Sequence, residues 1–161
     1  LFLIAIQYII KEEKFMAAMS DYLEGEIINL IFRTATYSKP ATIAIALCTA
    51  APVDSDTGAT IPEVANSFNY SRVAFGPADA NWSAPILGDG TTQNMTAITF
   101  PQAIGGNWGT ITHVAIVDST TYGAGNMLFY GTLTTPKLIE DQDIFAFAAT
   151  QLDVQVDGVC P

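Results

Sequence analysis

The chain has 161 residues, half of them apolar and 14% charged, with 16 acidic against 6 basic side chains and a formal net charge of -10. One domain of common size fits this length, and such a domain holds a core without staples. The excess of acid argues against nucleic acid and against an anionic membrane, and so few charges predict a surface that meets protein rather than water.

The opening run, Leu1 to Ile10, is apolar but shorter than the roughly 20 residues a bilayer span needs. No basic region precedes it, so a signal peptide fits poorly. Lys11-Glu-Glu can be encoded by AAGGAGGAA, which contains a bacterial ribosome-binding sequence, and the spacing suits a start at Met16 or Met19. Residues 1–19 are therefore set apart as a translated leader or an apolar arm, and 20–161 are read as a single β-rich structural domain. In an arm, Phe2, Ile4 and Ile6 would contact a neighbour, and both registers are apolar apart from Gln7. The expectation is a strand, or a short buried helix, that orders on assembly and adds to a neighbour's sheet edge.

One helix is predicted next. Asp21 and Glu24 form a capping box, and Leu23, Ile27, Leu30 and Ile31 recur at helical spacing to give an apolar face for packing on a sheet. From Ala41 the pattern turns to β, with Ile43, Ile45 and Leu47 on one face and small Ala44 and Ala46 on the other, against the helix. A loop over 50–62, a strand over 69–75 and a long loop over 76–93 with an Asp89-Gly90 turn follow. Further strands are expected at 95–100, 111–117, 127–133 and 144–156, the last of these read as one strand or two. Gly105-Gly106, Gly123 to Gly125 and Pro136-Lys137 punctuate them. Short strands with such turns indicate a mainly β chain, an antiparallel sandwich or barrel with one N-terminal amphipathic helix packed on it.

No catalytic constellation stands out. The lone histidine, His113, lies in an alternating strand, and no nucleophile elbow accompanies it. Asp54-Ser-Asp-Thr-Gly58 has the flavour of a calcium loop but lacks its third ligand and closing Glu. Glu140-Asp-Gln-Asp143 reads as a solvated turn. Cys48 reads as a small core residue, far in sequence from Cys160. Three N-x-[ST] sequons, at Asn69, Asn81 and Asn94, matter only in a secretory protein. No metal site or cofactor is called for. Glu63 and Arg72 are the best candidates for a buried or interface ion pair, against the alternative of two unrelated surface charges. Trp108 is expected to fill the core, and Trp82, in a polar loop, to anchor a subunit contact.

Several stretches together carry a resemblance: Asn29-Leu-Ile-Phe-Arg33, Tyr37-Ser-Lys-Pro40, Ile43 to Pro52, Glu63-Val64, Tyr70-Ser-Arg72, Phe100-Pro101, Trp108 to Asp118, and Leu128 to Leu133. Over about residues 20–156 the chain resembles a family of small tailed-bacteriophage virion structural proteins, some tail-fibre-like and some similar to capsid cement proteins. The resemblance implies a β-rich, trimeric domain on a virion, made in the bacterial host cytoplasm, and brings no catalytic residues. The leading expectation is a cement (decoration) protein on the capsid exterior. There it would bind itself and the major capsid protein and clamp neighbouring capsomers against internal pressure. The alternative is a tail-fibre or receptor-binding component that recognises the host surface, with Tyr122 or Trp82 at a glycan site. A carbohydrate-active enzyme is a weaker third.

Overall fold

The computed structural model of the chain describes residues 7–10, 17–85 and 90–156. Its elements, in order, are β1 (Gln7–Ile10), β2 (Ala18–Met19), α1 (Asp21–Phe32), β3 (Ala44–Cys48), β4 (Val73–Ala74), β5 (Thr91–Gln93), β6 (Ile98–Gln102), β7 (Gly109–Val117), β8 (Met127–Ile139), β9 (Ile144–Phe147) and β10 (Asp153–Gln155). Over the described residues the chain is mainly β with one N-terminal helix, and the sheets formed there do not close into a barrel. A five-stranded sheet, ordered β2-β8-β7-β3-β4, faces a three-stranded sheet, β1-β9-β6, and a two-stranded ribbon, β10-β5.

The sandwich forms because the central strands are apolar on both faces. On the inner face Ile45, Leu47, Val114, Ile116 and Leu128 pack with Phe100, Phe145 and Phe147 of the smaller sheet. Each fully buried Phe is worth about 2–3 kcal/mol of transfer free energy. An aromatic chain runs through this layer: Trp108 edge-on to Tyr70 at 5.2 Å, Tyr70 stacked on Phe100 at 6.4 Å, Phe100 edge-on to Phe145 at 5.7 Å, and Phe145 edge-on to Phe147 at 5.1 Å. Rings in these arrangements match negative faces with positive edges.

The outer face of the large sheet is thinner. Ala44, Ala46 and Cys48 pack with Ala115, Val117, Met127 and Ile61. The 50–62 loop therefore covers the small-residue face expected to meet the helix. Leu23 of α1 instead joins the cluster that holds Ile45 and Leu47.

Other expectations are corrected as well. Ser20, not Asp21, caps α1: its Oγ accepts from Leu23 N at 3.3 Å. Ser20 Oγ also donates to the Met127 carbonyl, which fixes the start of α1 to β8. Only Leu23 of α1 is buried, and Ile27 packs partly on the core. The expected strand over 69–75 shrinks to Val73–Ala74, because Phe68 and Asn69 take left-handed backbone angles and Arg72 is turned into a buried network. The expected loop over 76–93 ends in a strand, β5, paired antiparallel with β10.

Pro136-Lys137 does not end a strand. Both lie inside β8, where pairing with β7 slips between Ile111↔Lys137 and His113↔Thr132. Pro136 sits in that irregularity, where a ladder donor is not needed. Asp143 is buried rather than solvated, and its Oδ2 accepts from Glu140 N at 2.9 Å.

Residues 7–10 run parallel to β9 of the same chain, from Gln7↔Ile144 to Ile10↔Phe147. Phe2, Ile4, Ile6, Asp89 and Cys160 lie outside the described residues.

Candidate interaction surface

At the end of the large sheet where β7 turns into β8, two loops meet over a buried ion pair. Arg72 Nη2 lies 2.7 Å from Glu63 Oε2, with both side chains almost wholly inaccessible. A guanidinium offers five N–H donors, and a buried one must place them all. Arg72 does so: Nε donates to Glu63 Oε1 at 2.9 Å, and Nη2 donates to the Gly58 carbonyl at 2.6 Å as well as to Glu63. Nη1 donates to the carbonyls of Ser119, Thr121 and Ala124 at 3.0, 2.8 and 2.8 Å. Glu63 Oε1 also accepts from Tyr70 Oη at 2.9 Å, and the Tyr70 hydroxyl in turn accepts from Leu47 N at 3.0 Å. Burial, together with the Glu63 carboxylate, pushes the Tyr70 phenol far up, so it stays a donor. One charged pair thus ties the 50–64 loop, the 118–126 hairpin and β3 together.

Local sequence makes this possible. Gly58 N donates to the Gly125 carbonyl at 2.9 Å, and a Cβ at Gly58 would collide with the Ala124 carbonyl. Gly125 takes φ +85°, the left-handed region open to glycine. Asp118 closes the hairpin by accepting from Asn126 N at 2.6 Å and from Asn126 Nδ2 at 2.8 Å. The loop so held displays Tyr122, which is 40% exposed.

Asp54-Ser-Asp-Thr-Gly58 folds on itself. Asp56 accepts from Val53 N at 2.8 Å and from Thr60 Oγ1 at 2.8 Å. Asp54 accepts from Tyr130 Oη. That hydrogen bond, followed by burial and nearby carboxylates, pushes the Tyr130 phenol up to about 12. Burial lowers the His113 imidazole, whose Nδ1 lies 2.8 Å from Thr112 Oγ1. Burial also pushes the Cys48 thiol up, away from the reactive thiolate.

Two apolar features face outward. The C-terminal half of α1 leaves Ile28, Leu30, Ile31 and Phe32 at 55, 50, 64 and 78% exposure. Between the sheets, a cavity of about 180 Å³ is lined by Ile43, Trp82, Thr92, Ile116, Leu128, Phe129 and Val154. Trp82 is half-buried, edge-on to Phe75 at 5.2 Å, and its buried indole N–H has no acceptor among the described residues. On its other side lies an open groove formed by residues 77–79 and 82–85.

Of the residues singled out from sequence, Glu63 and Arg72 are brought together. Trp108 sits in the core with Nε1 donating to the Phe68 carbonyl at 3.0 Å. Trp82 stands apart from that pair, as a wall of the cavity. Asn94, read only as a sequon, is fully buried. Its Nδ2 donates to the Thr96 and Ala148 carbonyls at 2.8 Å each, and its Oδ1 accepts from Gln151 N at 3.0 Å and Leu152 N at 2.8 Å. No sequence signal marks it, since most of its partners lie more than fifty positions away.

Residues 18–155 match a protein-family model described as podophage GP4 fiber I protein gp80. Among curated proteins, none matches the chain.

Proposed function

Because the chain belongs to the podophage GP4 fiber I protein gp80 family, a family of tail-fibre-like phage virion structural proteins, we propose that it is a non-catalytic tail-fibre subunit acting as a homotrimer. The observation that carries the fibre part of this reading is the match itself, which takes in the helix and the large sheet and favours a fibre over a capsid cement protein.

Two features of the architecture support it. The polar groups of the buried Arg72 node satisfy one another, which suits a rigid loop platform rather than a reaction centre. Such a platform holds Tyr122 outward, as a binding loop on a fixed scaffold requires. The bare end of α1 is the kind of apolar surface that a subunit covers on assembly. In this reading the partners are further copies of the chain and neighbouring tail proteins.

Gold-labelled antibody against the 118–126 hairpin, applied to intact virions, tests the location. Label on the tail is the expected result. Label spread over the head would overturn the fibre reading in favour of capsid cement.

A further inference from the structure

We propose that the subunits join head to tail, the Phe32 end of α1 in one copy entering the apolar cavity beside Trp82 in the next. This rests on the homotrimer reading above and names the contact that would hold it.

The first observation is a protrusion without cover. The face begun by Leu23 and Ile27 continues through Leu30 and Ile31, but those two are half or more exposed, and Phe32 is 78% exposed. These residues with Ile28 present on the order of 500 Å² of apolar surface, near the upper end of what a monomer carries. From Ile27 to Phe32 only Asn29 is polar, and helix turns that are apolar nearly all round are covered on more than one side.

The second observation is a hole of matching size. An apolar cavity of about 150 Å³ stays dry and takes a benzene ring. The cavity here is about 180 Å³, with no charged residue among the described residues of its wall.

The occupant is a second copy because the same chain carries both an uncovered apolar knob and an apolar hole the size of a ring, and the contact is one its charge permits. At net charge -10, copies repel wherever acidic surfaces face one another, so self-association needs uncharged contacts. Both the helix end and the cavity qualify. No residue of α1 lines the cavity, so knob and hole are different surfaces. Contacts between different surfaces are heterologous: they close into rings where the rotation between neighbours closes and run on as open filaments where it does not. A cyclic trimer follows more naturally than a two-fold dimer.

The test uses the full chain and light scattering. Phe32→Glu removes the knob from an exposed position, and Val154→Phe fills the hole. Each variant alone is expected to lose assembly by about 100-fold or more, while an equimolar mixture forms a heterodimer, since one intact knob still meets one intact hole. A wild-type monomer would sink the trimer reading itself. A wild-type trimer with Phe32→Glu still fully trimeric would leave that reading standing and overturn this contact. Thermal melting checks that each variant is folded. Should Val154→Phe fail to fold, benzene decides the matter. It should shift the Trp82 indole N–H resonance in Phe32→Glu but not in the wild-type trimer, and equal shifts in both would show the cavity empty in the assembly and contradict the proposal.

Discussion

Arg72 and Glu63, nine positions apart in the chain, meet in a side-on pair whose Nη2–Oε2 distance is 2.7 Å, and the pair anchors three carbonyls of the 118–126 hairpin. Breaking a buried pair leaves the surviving charge without a partner, which costs about 3–5 kcal/mol. Arg72→Met and Glu63→Gln should each lower stability by that order in urea titrations. The double variant Arg72→Met/Glu63→Gln should lose less than the two singles added, because neither charge is then stranded. Simple additivity would show that the pair is not coupled.

Asn94 performs a similar task without charge. Its amide satisfies the Thr96 carbonyl and, from the 148–152 turn, one carbonyl and two backbone N–H groups. Asn94→Ala should orphan all four and cost about 3 kcal/mol or more. Asn94→Asp, nearly the same shape, keeps the acceptor but loses the two donors and buries a charge, so it should be at least as damaging. Chemical denaturation of the two variants checks the order; a neutral Asn94→Ala would refute this role.

The Tyr130 phenol, held by Asp54, keeps its proton in the folded chain to about pH 12, whereas the unfolded chain releases it from the ordinary value of 10.0. The stabilisation is therefore whole below pH 10 and is lost as pH rises from 10 through 12. Tyr130→Phe should flatten the fall in melting temperature over that window and start from a lower value at pH 8. An identical pH profile in variant and wild type would mean that the Asp54 contact contributes nothing.

Much of the fold was legible because alternation survives wherever a strand is central. Ile45 and Leu47 fall inward as their spacing predicts, and so does the run through Val114 and Ile116. Boundaries failed where a tertiary contact chose between local options. Ser20 and Asp21 are both good caps, and the bond from Ser20 to Met127, 107 positions away, decides between them. Pro136 reads as a breaker, yet a register slip makes room for it. Periodicity shows which face of α1 is apolar, but not how far the sheet extends to cover it, so the overhang from Ile28 to Phe32 was invisible. The Glu63–Arg72 pair was guessable from chemistry, whereas the cavity beside Trp82 draws its wall from β5, β7, β8 and β10 and from Ile43 before β3.

The central claim, a tail-fibre subunit rather than a capsid cement protein, is tested most directly by counting copies of the chain in purified virions with an isotope-labelled peptide standard. A fibre subunit sits on a low-order axis, so the account predicts from a few to about tens of copies per particle, in a multiple of three. About hundreds of copies, the number a capsid lattice demands, would contradict it.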